Sequence, residues 1–432
     1  VSLLQSFPEP RRVAPGVEFI GLRDERFKRS LLRVHWELPL DAASPARTLL
    51  LQVLEQGSAE HPRRLDLARS LQDAYGADLE FGAERSGECH QAVLRMSCVG
   101  ERFLPVGERA LPGLLQLARE ILDRPRRGSD GAPFDGEILE RERAQLLRRI
   151  AAMRDDRSAW AEQRFLETMC AGEPYARAPW GSEAEVAALR GEDLEEARLT
   201  LLSQSRITAV MVGPDDPEGT AAFLAEWFSG RSEPPKVREP IPRQPGAPRH
   251  LREELVCDQA RFHAGFRCAM PTALDARESL ALATSVLGGG VHGRLFRIVR
   301  EERSQAYSIH SQLHARKGIM TVEAGLDAAH AASVREEVET QVADLQENGA
   351  RDEELEHARR SLCDRLLGLA DRPSGLASYL ARERALGLSR SPAQRVALLE
   401  RVSGADIAAA ARRWVPDLDY LLAPPEPATV NA

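Results

Sequence analysis

Between Ser229 and His250 the chain reads SGRSEPPKVREPIPRQPGAPRH, with six prolines, two glycines and no hydrophobic period. Proline at that density stops helices and removes ladder donors, so the stretch is expected to run extended rather than inside an element. It falls near the middle of 432 residues, a length well above the usual domain of about 100–150 residues. Two bodies are therefore expected, residues 1–228 and 251–432, joined by 229–250.

Both halves repeat one pattern. In the first, Gly16 to Leu22 and Ser30 to Leu40 alternate like strands, and helical spacing follows at Ala46 to Glu55 and Arg64 to Tyr75. Strands at Asp78 to Ala83 and Gln91 to Val99 precede helices at Pro105 to Asp123 and Gly136 to Cys170, then a strand at Arg206 to Val212 and a helix at Gly219 to Phe228. In the second, strands fit Glu254 to Cys257 and Ala260 to Cys268, helices Ala276 to Leu287 and Arg294 to Glu302, and a hairpin Ala306 to Leu313 with Gly318 to Leu326. Helices at His330 to Asn348, Asp352 to Leu369, Ser374 to Leu386 and Gly404 to Trp414 lead to a last strand at Asp419 to Leu422. Two copies of this order imply an α+β fold of two homologous domains, each an antiparallel-rich sheet covered on one face by helices.

Composition excludes several classes. A net charge of −8, with dispersed arginines and only three lysines (Lys28, Lys236, Lys317), argues against nucleic-acid binding. No apolar run approaches the roughly 18 residues of a membrane span. The six cysteines are scattered without a C-x-x-C pair, which excludes a zinc ribbon or dithiol motif. Val1 is not followed by a basic and then apolar leader, so a cytoplasmic location is the expectation.

The segment Leu287-Gly-Gly-Gly-Val-His-Gly-Arg-Leu-Phe-Arg-Ile-Val-Arg300-Glu-Glu-Arg-Ser-Gln-Ala-Tyr307-Ser308 resembles the C-terminal-domain signature of the insulinase/pitrilysin metallopeptidases, in their processing-peptidase-like branch. Phe27-Lys28-Arg29, Gly172-Glu-Pro-Tyr175-Ala-Arg-Ala-Pro-Trp-Gly181 and Val212-Gly213 match as well, and the likeness covers nearly the whole chain. It implies half of a clam-shell chamber. It also implies inverted-zincin chemistry, in which H-x-x-E-H on one helix supplies two zinc ligands and a general base, and a later glutamate supplies the third ligand.

That metal motif is absent from the sequence. In the register set by Gly57 the chain has Thr48-Leu49-Leu50-Leu51-Gln52, so Thr48, Leu51 and Gln52 stand at the ligand and base positions. Beyond Glu142, where the family places its downstream glutamates, come Arg148 and Arg149, which repel a divalent cation. No cofactor is expected in this chain. Other histidines offer near misses: Glu60-His61 reads as a solvent-facing turn, His250 precedes Glu253 in an extended segment, and His357 sits on a charged helix face. His310 and His314 lie on a strand, where their spacing spans about 13 Å.

By resemblance, Arg300 and Tyr307 match the pair that reaches substrate at a zinc centre, where guanidinium and phenol donate to a carbonyl as negative charge develops. The bland alternative pairs Arg300 with a neighbouring glutamate and makes Tyr307 a half-buried strand residue. Gly288, Gly289 and Gly290 either let a substrate backbone approach or serve helix ending and packing. Family members commonly work as dimers in which one chain carries the zinc motif. The resemblance therefore implies a non-catalytic subunit beside a homologous H-x-x-E-H partner that holds the zinc, acting on extended peptides. A non-enzymatic homodimer that binds peptides or acts as a scaffold is the other reading, and neither nucleic acid nor membrane is an expected partner.

Overall fold

The computed structural model describes residues 8–235 and 243–425. Residues 236–242, the middle of the proline-rich stretch, lie outside the described residues. In chain order the strands are β1 (Arg11–Ala14), β2 (Val17–Arg23), β3 (Arg29–Pro39), β4 (Asp78–Ser86), β5 (Cys89–Val99), β6 (Arg206–Gly213), β7 (Arg249–Glu254), β8 (Ala260–Arg267), β9 (Ala306–His314), β10 (Ile319–Leu326) and β11 (Val415–Ala423). The helices are α1 (Ser44–Leu54), α2 (Arg64–Asp73), α3 (Ala110–Asp123), α4 (Gly136–Ala152), α5 (Arg157–Met169), α6 (Glu183–Ala188), α7 (Gly191–Gln204), α8 (Pro217–Trp227), α9 (Leu274–Gly288), α10 (Ala331–Asn348), α11 (Asp352–Leu367), α12 (Pro373–Ala385), α13 (Pro392–Glu400) and α14 (Gly404–Ala411). Among the described residues no helix is long and apolar enough to cross a membrane.

The fold is α+β with two sheets, and the internal repeat is exact in topology. One sheet runs β1-β2-β6-β3-β5-β4 and the other β7-β11-β8-β10-β9. Apart from the β1 hairpin strand, the two have the same order and polarity: a parallel outer pair (β2 with β6, β7 with β11) followed by antiparallel neighbours.

Within the described residues, one compact unit takes in Val1–Ala152, Arg177–Glu239 and Gly368–Ser391, and the other Met153–Ala176, Pro240–Leu367 and Pro392–Ala432. These units differ from the expected pieces 1–228 and 251–432 in two segments. Residues 153–176 lie in the second unit and 368–391 in the first.

The exchange follows from the strand pattern. On β3, Leu32, Val34, Trp36 and Leu38 enter the main core of the first unit with Leu49, Leu50 and Leu54 of α1. The opposite face of that sheet is also apolar at Ile20, Leu22, Val210 and Val212, and Leu376, Ala377, Leu380 and Ala381 of α12 cover it. In the second unit, Ala161, Phe165, Leu166 and Met169 of α5 cover Ile319, Leu418, Tyr420 and Leu422. Gly265 on β8 makes room for this contact, since a Cβ there would lie 2.6 Å from the Met169 sulfur. Each sheet is thus covered on both faces, not one, and the second cover comes from the other half of the sequence.

The single helix expected over Gly136 to Cys170 is two. Asp156 caps α5 by accepting from the Ser158 and Ala159 amides at 3.1 Å, and this cap ends α4 from the far side. A buried ion network then fixes the segment after α5: Glu173 accepts from Lys317 and from Arg267, and Arg267 donates through Nε to Asp417 at 2.6 Å. The Lys317 side chain is 1% exposed.

Cleaving the chain within 229–250 therefore should not separate its halves. An engineered protease site there is expected to give two fragments that co-elute in native size exclusion, while fragments 1–228 and 251–432 made separately aggregate. Clean separation of folded, monomeric fragments would contradict the exchange of α5 and α12.

Candidate functional site

Helix α1, which carries Thr48, Leu51 and Gln52, is buried on nearly every side. Leu51 is 3% exposed and packs in the main core with Leu49 and Leu50. The Thr48 hydroxyl donates to the Pro179 carbonyl at 2.7 Å, leaving its oxygen to accept from His90 Nε2 at 3.1 Å. Among the described residues His90 Nδ1 then has no hydrogen-bond partner, and burial, aided by the Arg47 guanidinium, holds the imidazole down to about 3. His90 is neutral at physiological pH. Gln52 Oε1 is also buried without a hydrogen-bond partner among the described residues. On α4, Glu142 is buried and accepts from Arg141 Nε at 3.1 Å, whereas Arg148 and Arg149 are exposed. Among the described residues no group of three His, Cys, Asp or Glu side chains is placed to hold a metal.

The near misses are tied up elsewhere. His61 Nδ1 lies 3.1 Å from Glu120, so its turn is braced and not merely solvated. His250 pairs with Asp419, His310 lies 3.6 Å from Glu323, and His314 Nε2 meets the Thr321 hydroxyl at 3.1 Å.

The segment from Gly288 to Tyr307 holds three departures from regular backbone. Gly288 ends α9 against β9, where a Cβ would lie 2.9 Å from the Ser311 nitrogen; the Gly289 amide donates to Ser285 at 2.8 Å. Gly290 has φ +144° and open space around it. After this turn, Phe296–Glu302 is a π-helical turn, with the Arg303 amide donating to Ile298. Ser304 follows at φ +54°, a rare conformation for a residue with a side chain. Then Ala306 pairs with Leu326 and Ser308 with Gly325, so Tyr307 is the extra residue of a β-bulge. Bulges and π-turns re-aim side chains and concentrate at functional sites.

Four arginines recur every third residue here, and three are anchored. Arg294, 3% exposed, donates to Asp344, Glu354 and the Gly349 carbonyl. Arg297 lies 3.5 Å from Glu354, and Arg303 2.6 Å from Glu337. Arg300 is exposed and, among the described residues, has no ion-pair partner; its guanidinium stands 4.7 Å from the Phe296 ring centroid. Tyr307 is 59% exposed at the sheet edge. Neither residue takes the bland arrangement of a paired arginine or a half-buried tyrosine. The three-residue arginine spacing is visible in the sequence, but which of the four lacks a carboxylate depends on α10 and α11.

Comparison with known proteins bears on this geometry. A family model described as "Peptidase M16 inactive domain" matches residues 188–362, which include the whole Gly288–Tyr307 segment. The probable inactive metalloprotease YmfF of Bacillus subtilis is 23% identical over 408 residues, covering 93% of this chain and 94% of that one. Over these spans the chain is similar to the M16 inactive domain and to a probable inactive metalloprotease. Two solved structures share its fold. A conserved protein from Enterococcus faecalis has a TM-score of 0.88 at 19% identity and covers 97% of this chain and 99% of its own. The peptidase M16 inactive domain from Pseudomonas fluorescens has a TM-score of 0.81 at 17% identity, covering 97% and 98%. Helix α1 of this chain is packed into the core of the first unit.

Two outcomes follow from the site. The chain alone is expected to hydrolyse no peptide with or without added zinc, and substituting Thr48 or Gln52 by Ala should not change its metal uptake. Peptidase activity removed by a chelator and by either substitution would contradict this. In the second unit, burial disfavours the Glu354 carboxylate, but Arg294 and Arg351 outweigh that and bring it down from 4.5 to about 2. Because the folded value is depressed, its stabilisation is complete above about pH 4.5 and is lost as pH falls towards 2. Arg294→Ala leaves Glu354 buried and poorly paired and should cost about 3–5 kcal/mol. Urea unfolding across this pH range should show Glu354→Gln flattening the acid limb; an unchanged limb would remove Glu354 as its cause.

Proposed function

We propose that this chain is the non-catalytic subunit of a heterodimeric zinc peptidase, with a homologous partner carrying H-x-x-E-H and its zinc. In this reading Arg300 and Tyr307 act in trans on an extended peptide held at the partner's metal, and the rest of the chain forms chamber wall. The observation that carries it is the selective freedom of Arg300. Three arginines of one segment are locked to carboxylates, while the fourth is left exposed on an aromatic ring, beside a bulge that turns Tyr307 outward. Backbone irregularities of this kind cost stability and cluster where they serve a function.

The roles divide by chemistry. A guanidinium offers five donors in a rigid fork and cannot lose its proton at ordinary pH, so it suits a carbonyl oxygen that gains negative charge. The phenol adds a neutral donor to the same oxygen. Gly290, open and conformationally free, lies at the turn before this segment and can accept a close peptide backbone.

The test is coexpression with a zinc-motif homologue. A one-to-one complex burying at least a standard interface of about 1,600 Å² is expected. Within it, Arg300→Ala or Tyr307→Phe should lower turnover about a hundredfold to a thousandfold, the loss of one oxyanion donor, with folding and assembly unchanged. Retention of turnover within about threefold would leave Arg300 and Tyr307 without a chemical role. If no zinc-motif homologue associates and the chain pairs with itself, the scaffold or peptide-binding homodimer replaces this reading.

A further inference from the structure

Outside the segment used above, two imidazoles meet on the surface of the second unit. The rings of His292 and His357 lie 4.6 Å apart between centroids, tilted by 31°. His292 is exposed in the glycine turn after α9, and His357 is half-buried on α11. Among the described residues neither has a hydrogen bond or ion pair, in contrast to His61, His90, His250, His310 and His314, each beside a carboxylate or hydroxyl. The expectation that His357 belongs to a merely solvated helix face is thus incomplete.

The backbones beneath the pair are held rigidly. Arg294, two residues after His292, is bound to Glu354, three residues before His357, and to the Gly349 carbonyl between α10 and α11. That buried clamp fixes the turn against α11, so the two imidazoles face each other without having to be gathered. A zinc ion held here would take one nitrogen from each ring at roughly 2.0–2.1 Å. Glu353 lies four residues before His357 on the same helix face, within reach as a carboxylate neighbour. As they stand, no three such groups are placed around a metal, so water completes the coordination.

We propose that His292 and His357 form a surface site for one borderline divalent transition metal, such as Zn²⁺ or Ni²⁺, which imidazole favours over Mg²⁺ or Ca²⁺. The bound ion ties the glycine turn to α11 at the entrance to the π-helical segment. The site lies in the other unit from Thr48 and Gln52, and it is independent of the partner proposed above.

Titration calorimetry of the full, chelator-treated chain with Ni²⁺ and Zn²⁺ tests it. One site per chain is expected, with no competing signal from Mg²⁺. Losing even an outer-shell partner costs metal affinity about 10–100-fold, so His292→Ala and His357→Ala should each weaken binding at least about tenfold, and the double variant little further. Metal should raise the melting temperature of the parent but not of these variants. His250→Ala and His310→Ala, which alter half-exposed histidines beside carboxylates, should bind like the parent. Unchanged binding in both His292→Ala and His357→Ala, loss in the control variants instead, or no binding by the parent would each overturn the proposal.

Discussion

A sheet with two apolar faces must be covered twice, and this constraint organises the molecule. Each half of the sequence supplies helices for one face of its own sheet. The remaining faces, at Ile20, Leu22, Val210 and Val212 and at Ile319, Leu418, Tyr420 and Leu422, are closed by α12 and α5 from the opposite halves. Burying each aliphatic side chain among them is worth about 1.5–3 kcal/mol, so three or four of them approach the whole net stability of a typical domain, about 5–15 kcal/mol. Neither half can forgo its borrowed helix. The exchange also explains why the Gly172–Gly181 motif persists without a metal site: Glu173 locks onto Lys317 and Arg267, and Pro179 satisfies Thr48.

Helix α1 is packed as core and presents no open polar face. A helix that must present two imidazoles and a carboxylate needs an open, polar face. Here Leu51 fills the base position, and Thr48 closes a hydrogen-bonded knot with Pro179 and His90. His90, buried and neutral, would repel neither metal nor substrate, but its free nitrogen reaches no solvent. A ligand at Thr48 would have to break the hydrogen bonds that Thr48 makes with Pro179 and His90.

Much of this was legible before any coordinates. The repeated order of strands and helices along the chain was legible from apolar spacing, whereas the strand order within each sheet and its second covered face were not. β7 was not legible past its last residue: it is exposed at almost every position and held by main-chain pairing to β11, so no alternation marks it. α6 was missed although Ser182 and Glu185 form a readable capping box. The break between α4 and α5 falls in the polar run 154–158, whose residue types also suit an exposed helix face, and the Asp156 cap marks it. At the candidate site, the residue types at 300 and 307 were evident. The π-turn, the Ser304 conformation and the bulge were not, since each arises from how β9 must meet β10 and how Arg294 is buried.

Those irregularities form one mechanical unit. Arg294 holds the start of the turn against α10 and α11, Val299 is fully buried at its middle, and the Gln305 amide returns to the Val299 carbonyl at 2.8 Å. With both ends fixed, the extra backbone of the π-turn and the bulge has nowhere to relax except outward, at residues 300 and 307. A regular helix entering a regular strand would carry Arg300 into the same carboxylate fringe as Arg297 and would leave Tyr307 paired in the ladder. The outward aim of the two side chains is thus set by burial and ion pairing several residues away.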